Sequence, residues 1–358
     1  MDANLITIRL EADKATAALF NVDGRSGALS LLPDDPGPCD TRLPIRNKNP
    51  LDLVMAIGRY IGQIEHRWKS TKRLIALSAP GTIDTSNGVI VRSTRLGVHE
   101  PFLFSAALKE RLAYHTWIFH DTPCMAIGEM RHGIGSDLGI TDLARLTDAK
   151  DFALVLVSEG VGSALFINSH EYTGAGAAGH LGRMIVDPSG PYSETFRSRG
   201  PLEVYTSREW ISRHIIEEYQ TYNEKRADLD AGASRFTRFQ RAVFAVTDPL
   251  AISASDIQSA IEDKDQIVTR VIDEAAIYLG LALSNLITIM NLPVIILGGE
   301  MMDRIPRYFD KTYEATERFS WPVPWTRTRL VKAKLGERAQ FWGTAELSVQ
   351  RAKEEGLL

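Results

Sequence analysis

The chain has 358 residues, of which 44% are hydrophobic and 24% charged, and its formal net charge is −4. That length is enough for two domains with cores of their own. The slightly acidic balance gives no general attraction to nucleic acid or to an anionic membrane. Two widely spaced cysteines, Cys39 and Cys124, exclude a disulfide framework and a four-thiolate zinc site.

Neither the first residues nor the most apolar stretch of the sequence indicates a targeting or membrane segment. The first residues include acidic side chains and alternate in hydropathy, unlike a signal peptide. The apolar stretch 275–299 is interrupted by Asn285, Asn291 and Pro293, which predicts a buried helix followed by a buried strand rather than a membrane span. A cytoplasmic protein without a membrane segment is therefore expected.

Strands and helices are predicted to alternate along the first part of the chain. A hairpin over 5–24, in which Ile6, Ile8 and Leu10 recur with the two-residue period of a strand, precedes a proline-containing loop over 30–50. The elements that follow are a helix over 50–69, a strand over 73–84 with a Pro-Gly turn, a helix over 101–115, a strand over 116–121 and a helix from 123.

The second part of the chain repeats this order. The pattern predicts two strands over 151–168 joined by the turn SEGVG, a helix over 208–226, an irregular segment over 224–250, one or two helices over 255–290, a strand over 293–301 that ends in a double glycine, and a helix over 341–355. A hairpin followed by a helix occurs at 5–65 and again at 152–220. An α/β fold with two related lobes is the simplest interpretation.

Four glycine-bearing turns follow apolar strands, and a glycine there frees backbone amides to face an anion. They are Pro80-Gly81, the SEGVG turn with Ser158, Gly160 and Gly162, the run Gly174, Gly176 and Gly179, and Gly298-Gly299. Each glycine alone is also explained by the turn itself. Four such turns at strand ends favour a ligand site there.

Asp121 ends a predicted strand directly after His120. A carboxylate in that place suits a general base that takes the proton of a substrate hydroxyl. It equally suits the cap of the helix that follows. The sequence leaves both interpretations open.

Three polar residues further on, His180, Arg183 and Glu203, form with Asp121 a candidate cluster for a polyol, or else a solvated surface loop. Arginine is no metal ligand, so the pattern does not support a metal site.

The order and spacing of these motifs resemble the ROK family (repressors, open reading frames, kinases) from residue 5 to about 352. The stretches that carry the likeness are ALSAPGTID, FHDTPCMAIGE, SEGVGSALFINSHEYTGAGAAGHLG, VDPSG, GPLEVYTS and VIILGGEM. The resemblance implies a two-lobed, actin-like ATPase (ribonuclease H-like) α/β fold with mixed sheets flanked by helices. It implies an N-terminal lobe of residues 1–122 plus about 340–358 and a C-terminal lobe of 123–339. It also implies a homodimer and a sugar or sugar derivative as ligand.

The sequence departs from the family pattern at the first phosphate-binding loop. Family kinases begin with Asp-x-Gly-Gly-Thr-Lys, whose glycines cradle nucleotide phosphate, whereas the matching stretch here is RLEADK. The glycine pair is missing, and Glu11 and Asp13 would repel phosphate unless a metal intervened. The remaining nucleotide-binding candidates implied by the resemblance are Ser158, Gly160, Gly162, Gly298 and Gly299.

The sugar-binding positions are also altered. By the resemblance, Asp121 is the general base and Glu203 a retained sugar contact, while His120, Arg95 and His180 stand where the family has Asn, Asn and Glu. The substituted pocket is more basic, which favours an acidic or phosphorylated sugar over a neutral hexose.

The zinc ligands of the family are replaced as well. They correspond to Arg183, Ser193, Thr195 and Pro201, so no zinc is expected.

Two functions follow. The first is a sugar- or sugar-acid-binding regulator with impaired or absent kinase activity. Only about seven residues precede the first strand, too few for the helix-turn-helix of family repressors, so no nucleic acid is expected to contact this chain. The second is a sugar kinase that uses Asp121 as base and Mg-ATP as phosphate donor. Mg-ATP is expected as a cofactor only if the chain is a kinase, and no other cofactor is predicted.

Overall fold

The computed structural model describes residues 2–11, 14–31, 39–44, 49–64, 73–138, 150–227 and 248–358, together with Phe239 and Val243. The chain forms two compact units. Unit 1 consists of Met1–Thr141 and Glu337–Leu358, and unit 2 consists of Asp142–Gly336. The first division lies later than the sequence-based boundary after residue 122, because the helix that begins at Asp121 packs within unit 1.

The described residues form fifteen strands and twelve helices. The strands are β1 Ala3–Leu10, β2 Lys14–Val22, β3 Leu29–Leu31, β4 Cys39–Pro44, β5 Arg73–Ala79, β6 Thr82–Asp84, β7 Val89–Arg92, β8 His115–His120, β9 Phe152–Val157, β10 Val161–Ile167, β11 His170–Glu171, β12 Tyr192–Ser193, β13 Ser198–Arg199, β14 Val294–Gly298 and β15 Arg329–Lys332. The helices are α1 Pro50–Ile64, α2 Phe104–Leu112, α3 Asp121–His132, α4 Ile134–Asp137, α5 Glu203–Thr206, α6 Arg208–Ala227, α7 Ala254–Glu262, α8 Gln266–Met290, α9 Glu300–Arg304, α10 Pro306–Phe319, α11 Pro322–Trp325 and α12 Arg338–Glu354.

Each unit is built around one mixed sheet, and the two sheets share a topology. In unit 1 the order is β3-β2-β1-β5-β8, and in unit 2 it is β11-β10-β9-β14-β15. In both, the first two long strands form an antiparallel hairpin, and two further strands add in parallel beside the first. The repeated hairpin predicted from the sequence is therefore present in both units.

The sheet of unit 1 is buried on both faces, as parallel strands between helices require. On β1, Ile6, Ile8 and Leu10 belong to the core cluster that includes residues of α1 and α2. Ala3 and Leu5, which lie on the other face of β1, belong to the cluster that includes residues of α12. The two-residue period seen in the sequence thus divides β1 between two cores.

Two glycines bring α3 and α12 into close contact. A Cβ at Gly343 would fall on the carbonyl oxygen of Cys124, and a Cβ at Gly128 on that of Ala339. Any larger residue at either glycine would hold the helices apart. This crossing explains why α3 belongs to unit 1.

The core of unit 2 is centred on α8, which begins at the cap Asp265, whose carboxylate accepts hydrogen bonds from the amides of Ile267 and Val268. Residues 254–290 are thus two helices. Among the described residues α8 is the one helix long and apolar enough to cross a membrane, and just over half of its most apolar window is buried inside the protein. That burial is what a core helix of a folded unit shows.

Several elements differ from the sequence-based expectation. The loop predicted over 30–50 contains β4, which pairs with β2. The hairpin of β6 and β7, the helix α10 and the strand β15 were not predicted. Most of the irregular segment 224–250 and the last part of the helix predicted over 50–69 lie outside the described residues.

Candidate functional site

The turn between β1 and β2 carries a network of charged side chains in the place where the resemblance implies a phosphate loop. Arg9 donates one hydrogen bond to Glu11 Oε1 at 2.8 Å and another to Glu337 Oε2 at 2.7 Å. Lys14 Nζ lies 3.3 Å from the other oxygen of Glu11. The carboxylate of Glu11 is therefore held between two cations, and its charge is largely neutralised within the turn.

Arg9 is the centre of this network, with 13% of its side chain exposed. Burial lowers its pKa. The hydrogen bond to Glu337 and the charges of Glu11, Glu337 and Asp121 outweigh that effect and raise the pKa above its ordinary value. The guanidinium is thus permanently charged and surrounded by three carboxylates, of which only Asp121 was predicted as a site residue.

Asp121 is the first residue of α3, and His120 is the capping residue before it. Its Oδ1 atom accepts hydrogen bonds from the Thr122 amide at 2.7 Å and the Thr122 hydroxyl at 3.1 Å, and lies 3.5 Å from Nε2 of His120. All three of these contacts are made by the Oδ1 atom. The side chain is 28% exposed, and its Oδ1 atom satisfies an amide at the helix start.

Arg95 lies in an exposed turn over 94–97 of unit 1. The turn is closed by a bridge between Ser93 and Val98, and the buried Leu96 anchors it. Gly97 takes a left-handed conformation there, with φ of 69°. The exposed position is compatible with the predicted contact to an acidic ligand.

In unit 2 the turn between β9 and β10 is closed by Glu203. The amide of Val161 donates to Glu203 Oε2 at 2.8 Å. A Cβ at Gly160 would lie 3.0 Å from the same oxygen, so this glycine leaves room for the carboxylate. The turn also holds Ser158, whose amide donates to the carbonyl of Gly160 and whose hydroxyl accepts from the amide of Glu300.

The other glycines proposed for nucleotide binding have packing roles. Gly299 has φ of 95°, and a Cβ there would lie 2.5 Å from the carbonyl of Val157. A Cβ at Gly298 would lie 2.7 Å from the Cβ of Ala333. Gly162 is a ladder residue of β10 opposite Leu156. The absence of a Cβ at Gly298 and Gly299 is therefore explained by close packing, and at Gly299 also by the backbone conformation.

His180 is exposed, and its Nδ1 atom lies 3.0 Å from the carbonyl of Ala177. The backbone on either side of it is fixed by Ser163, whose hydroxyl donates to the carbonyl of Gly179 and accepts from the amide of Leu181. A Cβ at Gly182 would lie 3.3 Å from Glu203 Oε2. The short helical turn after His180 therefore lies beside Glu203.

The segment that matches the family's zinc loop is held by stacking and hydrogen bonds. The guanidinium of Arg183 lies 4.9 Å from the ring centroid of Phe196. The hydroxyl of Ser193 accepts from the amide of Phe196, and Tyr205 donates to Asp187 Oδ2 at 3.0 Å. The residues at the ligand positions do not suit zinc.

Across the described ranges, no group of three or more His, Cys, Asp or Glu residues is placed to hold a metal ion.

Most of the predicted site residues fall into two local groups, and Arg95 lies apart from both in the turn over 94–97. His120 and Asp121 lie together in unit 1, next to a network that sequence inspection missed because Arg9 and Glu337 are 328 residues apart. In unit 2 the groups around Ser158 and Glu203 meet at the β9–β10 turn.

One contact near that turn was also missed. Arg208 Nε lies 3.2 Å from Glu300 Oε2, beside the double glycine. The signal for it was present in the sequence as a charged residue directly after Gly299.

The model of the ROK family matches residues 45–351 of this sequence. The chain belongs to the ROK family. It is 28% identical over 235 residues to a glucokinase of Halalkalibacterium halodurans, a match that covers 65% of this chain and 63% of that enzyme. The matched region is therefore less than two thirds of this curated relative.

Solved structures of ROK proteins share the fold. The chain is similar to a ROK family transcriptional regulator, a homologue of the E. coli MLC protein, with a TM-score of 0.75 and 19% identity over 99% of this chain and 79% of the other. It is also similar to a Streptomyces griseus ROK glucokinase in complex with glucose and AMPPNP, with a TM-score of 0.67 and 20% identity over 97% and 99% of the two chains. The actin-like ATPase fold predicted from the sequence is confirmed, and the ROK relatives include both regulators and kinases.

Proposed function

We propose that this ROK protein binds a sugar or a sugar acid as a regulator or sensor, with impaired or absent kinase activity. The observation that carries the proposal is the charged network at the β1–β2 turn. Where the resemblance implies glycines around a phosphate, Arg9 is bonded to Glu11 and Glu337. A phosphate that approached this guanidinium would compete with two carboxylates that already accept charge-assisted hydrogen bonds from Nη1 and Nη2.

The network corrects one part of the sequence-based reasoning while supporting its conclusion. Glu11 was expected to repel phosphate directly. Its charge is instead balanced by Arg9 and Lys14. The obstacle to ATP is thus the space and the hydrogen bonds that these side chains occupy. Asp13, the other acidic residue of the turn, lies outside the described residues.

The ligand class rests on the altered sugar positions. Arg95 and His180 are both exposed, one in each unit. The guanidinium of Arg95 and the ring N–H of His180 are hydrogen-bond donors that suit a carboxylate or phosphate on the sugar. Glu203 is retained as a candidate acceptor for sugar hydroxyls. The crystallised S. griseus relative binds glucose, so a neutral hexose is the appropriate comparison ligand.

The alternative is a sugar kinase, and the geometry of Asp121 favours it. With Oδ1 held by Thr122 and His120, the other carboxylate oxygen is suited to take the proton of a sugar hydroxyl as that hydroxyl attacks the terminal phosphate of ATP. This role requires nucleotide binding, which the β1–β2 turn opposes.

Calorimetric titration with Mg-ATP separates the two functions. The proposed regulator shows no binding, and Glu11→Gly with Arg9→Thr, which removes the charged network, is expected to gain some. An ADP-release assay over a panel of sugars then tests turnover, with Asp121→Asn as the control. Micromolar Mg-ATP affinity in the wild-type protein, together with turnover that disappears in Asp121→Asn, would establish the kinase instead.

The ligand class is tested by thermal shift with hexoses, hexuronic acids and hexose phosphates. Stabilisation by acidic sugars that weakens in Arg95→Gln and in His180→Gln is the expected result. Stabilisation by neutral hexoses alone would show that the basic residues do not select the ligand.

A further inference from the structure

The carboxylate of Glu203, from α5, lies against the turn between β9 and β10. Glu203 Oε2 accepts a hydrogen bond from the amide of Val161 at 2.8 Å. A Cβ at Gly160 would lie 3.0 Å from this oxygen, and a Cβ at Gly182 would lie 3.3 Å from it. The carboxylate thus occupies a space that two glycines leave open beside a backbone donor.

A backbone amide in a glycine-bearing turn attracts an anion. Here the amide of Val161 already makes a charge-assisted bond to Glu203. A second anion at the same amide would meet the charge of the Glu203 carboxylate within a few ångströms, where repulsion is strong. A free oxyanion and the Glu203 carboxylate therefore exclude each other at Val161.

Two further contacts hold the turn in shape independently of Glu203. The amide of Ser158 donates to the carbonyl of Gly160 at 2.9 Å, and the amide of Arg208 donates to the carbonyl of Ser158 at 2.8 Å. The turn is therefore expected to keep its conformation when the carboxylate moves or loses its charge.

We infer that Glu203 controls a phosphate-binding site at the amide of Val161. While the carboxylate accepts this hydrogen bond, the turn rejects a phosphate group. A sugar that draws the carboxylate onto its hydroxyl groups makes the turn available. The sugar part of this inference rests on the proposed function. Because coupling is reciprocal, phosphate then strengthens sugar binding by the same factor.

The site is tested without sugar by calorimetric titration with inorganic phosphate. Glu203→Gln removes the charge and keeps the shape, so its phosphate affinity is expected to exceed that of the wild type by about tenfold or more. Glu203→Asp retains the charge and should stay close to the wild type. Glu274→Gln, which removes a carboxylate from α8 in the same unit, controls for the general change in net charge.

Hydrogen exchange locates the effect. Phosphate should slow exchange of the peptide that contains Val161 in Glu203→Gln and leave the wild type unchanged. ADP in place of phosphate shows whether a nucleotide is accepted as well as the free ion. If Glu203→Gln folds normally but binds phosphate no better than the wild type, the site at Val161 does not exist.

The sugar arm is kept separate from the phosphate arm. With an acidic sugar present, the wild-type protein should bind phosphate more tightly than without it. If phosphate binds to Glu203→Gln but no sugar binds to the wild type, the proposed function fails and the phosphate site stands. If sugar binds without changing phosphate affinity, the coupling is refuted.

Discussion

Substitution of Gly343 by alanine is expected to destabilise unit 1. The new Cβ would fall on the carbonyl oxygen of Cys124, and it would also lie 2.9 Å from the amide nitrogen of Gly128. Both are backbone atoms of α3, so no side-chain rotation relieves the clash, and α12 must move away.

The magnitude follows from two opposing effects. Overpacking costs about 1–3 kcal/mol, and the rigid backbone neighbours place this case at the upper end. The higher helix propensity of alanine returns about 1 kcal/mol. A net loss of about 2 kcal/mol corresponds to a fall of about 4–8 °C in the melting temperature of unit 1, measured by calorimetry.

Gly62→Ala is the matched control. Gly62 lies in α1 of the same unit, and a Cβ there would meet no atom within 4 Å. This variant should be more stable than the wild type by about 0.5–1 kcal/mol, because only the propensity difference acts. If Gly343→Ala were as stable as Gly62→Ala, the close crossing of α3 and α12 would be refuted.

Three further predictions concern contacts of single side chains. Burial raises the pKa of Glu346, but the hydrogen bond from His132 and nearby positive charge lower it below its ordinary value. Glu346→Gln should therefore lose stability near neutral pH. The difference from the wild type in urea unfolding should begin to shrink as the pH falls through about 4.3, the ordinary pKa of the unfolded chain, and should vanish only below the lowered pKa of the folded protein. Arg183→Gln removes the contact with the Phe196 ring and should cost about 0.5–1 kcal/mol, seen as faster proteolysis of the loop over 187–203, while EDTA should leave that rate unchanged. Tyr205→Phe removes the hydrogen bond to Asp187 and should cost about 1 kcal/mol in thermal unfolding; an unchanged midpoint would show that the bond contributes nothing to stability.

The parts of the fold that could be predicted from sequence are those with a local periodic signal. The hairpin of β1 and β2 and the strand β14 have strong apolar patterns, and both were predicted. The strand β15 has only four residues, and it is a strand because β14 pairs with it. Likewise β4 lies in a segment with prolines and gains its strand conformation from pairing with β2.

The candidate site residues divide in the same way, into those with a local sequence signal and those without one. Asp121 and the glycine turns were found because their signals are local. The bond between Arg9 and Glu337 joins opposite ends of the sequence, so no local pattern indicates it. The contact between Glu203 and Val161 joins residues 42 positions apart, and only the fold shows that the predicted sugar contact reaches the predicted phosphate turn.

The shared topology of the two sheets has a consequence for how this chain could change over evolution. The β1–β2 turn and the β9–β10 turn occupy corresponding places in the repeated hairpin, and a carboxylate lies at each, that of Glu11 within the first turn and that of Glu203, from α5, against the second. Because different residues fill the two turns, a substitution that opens one leaves the other unaltered. Opening both turns therefore requires at least two separate changes, and a variant with only one of them is expected to bind nucleotide more weakly than a variant with both.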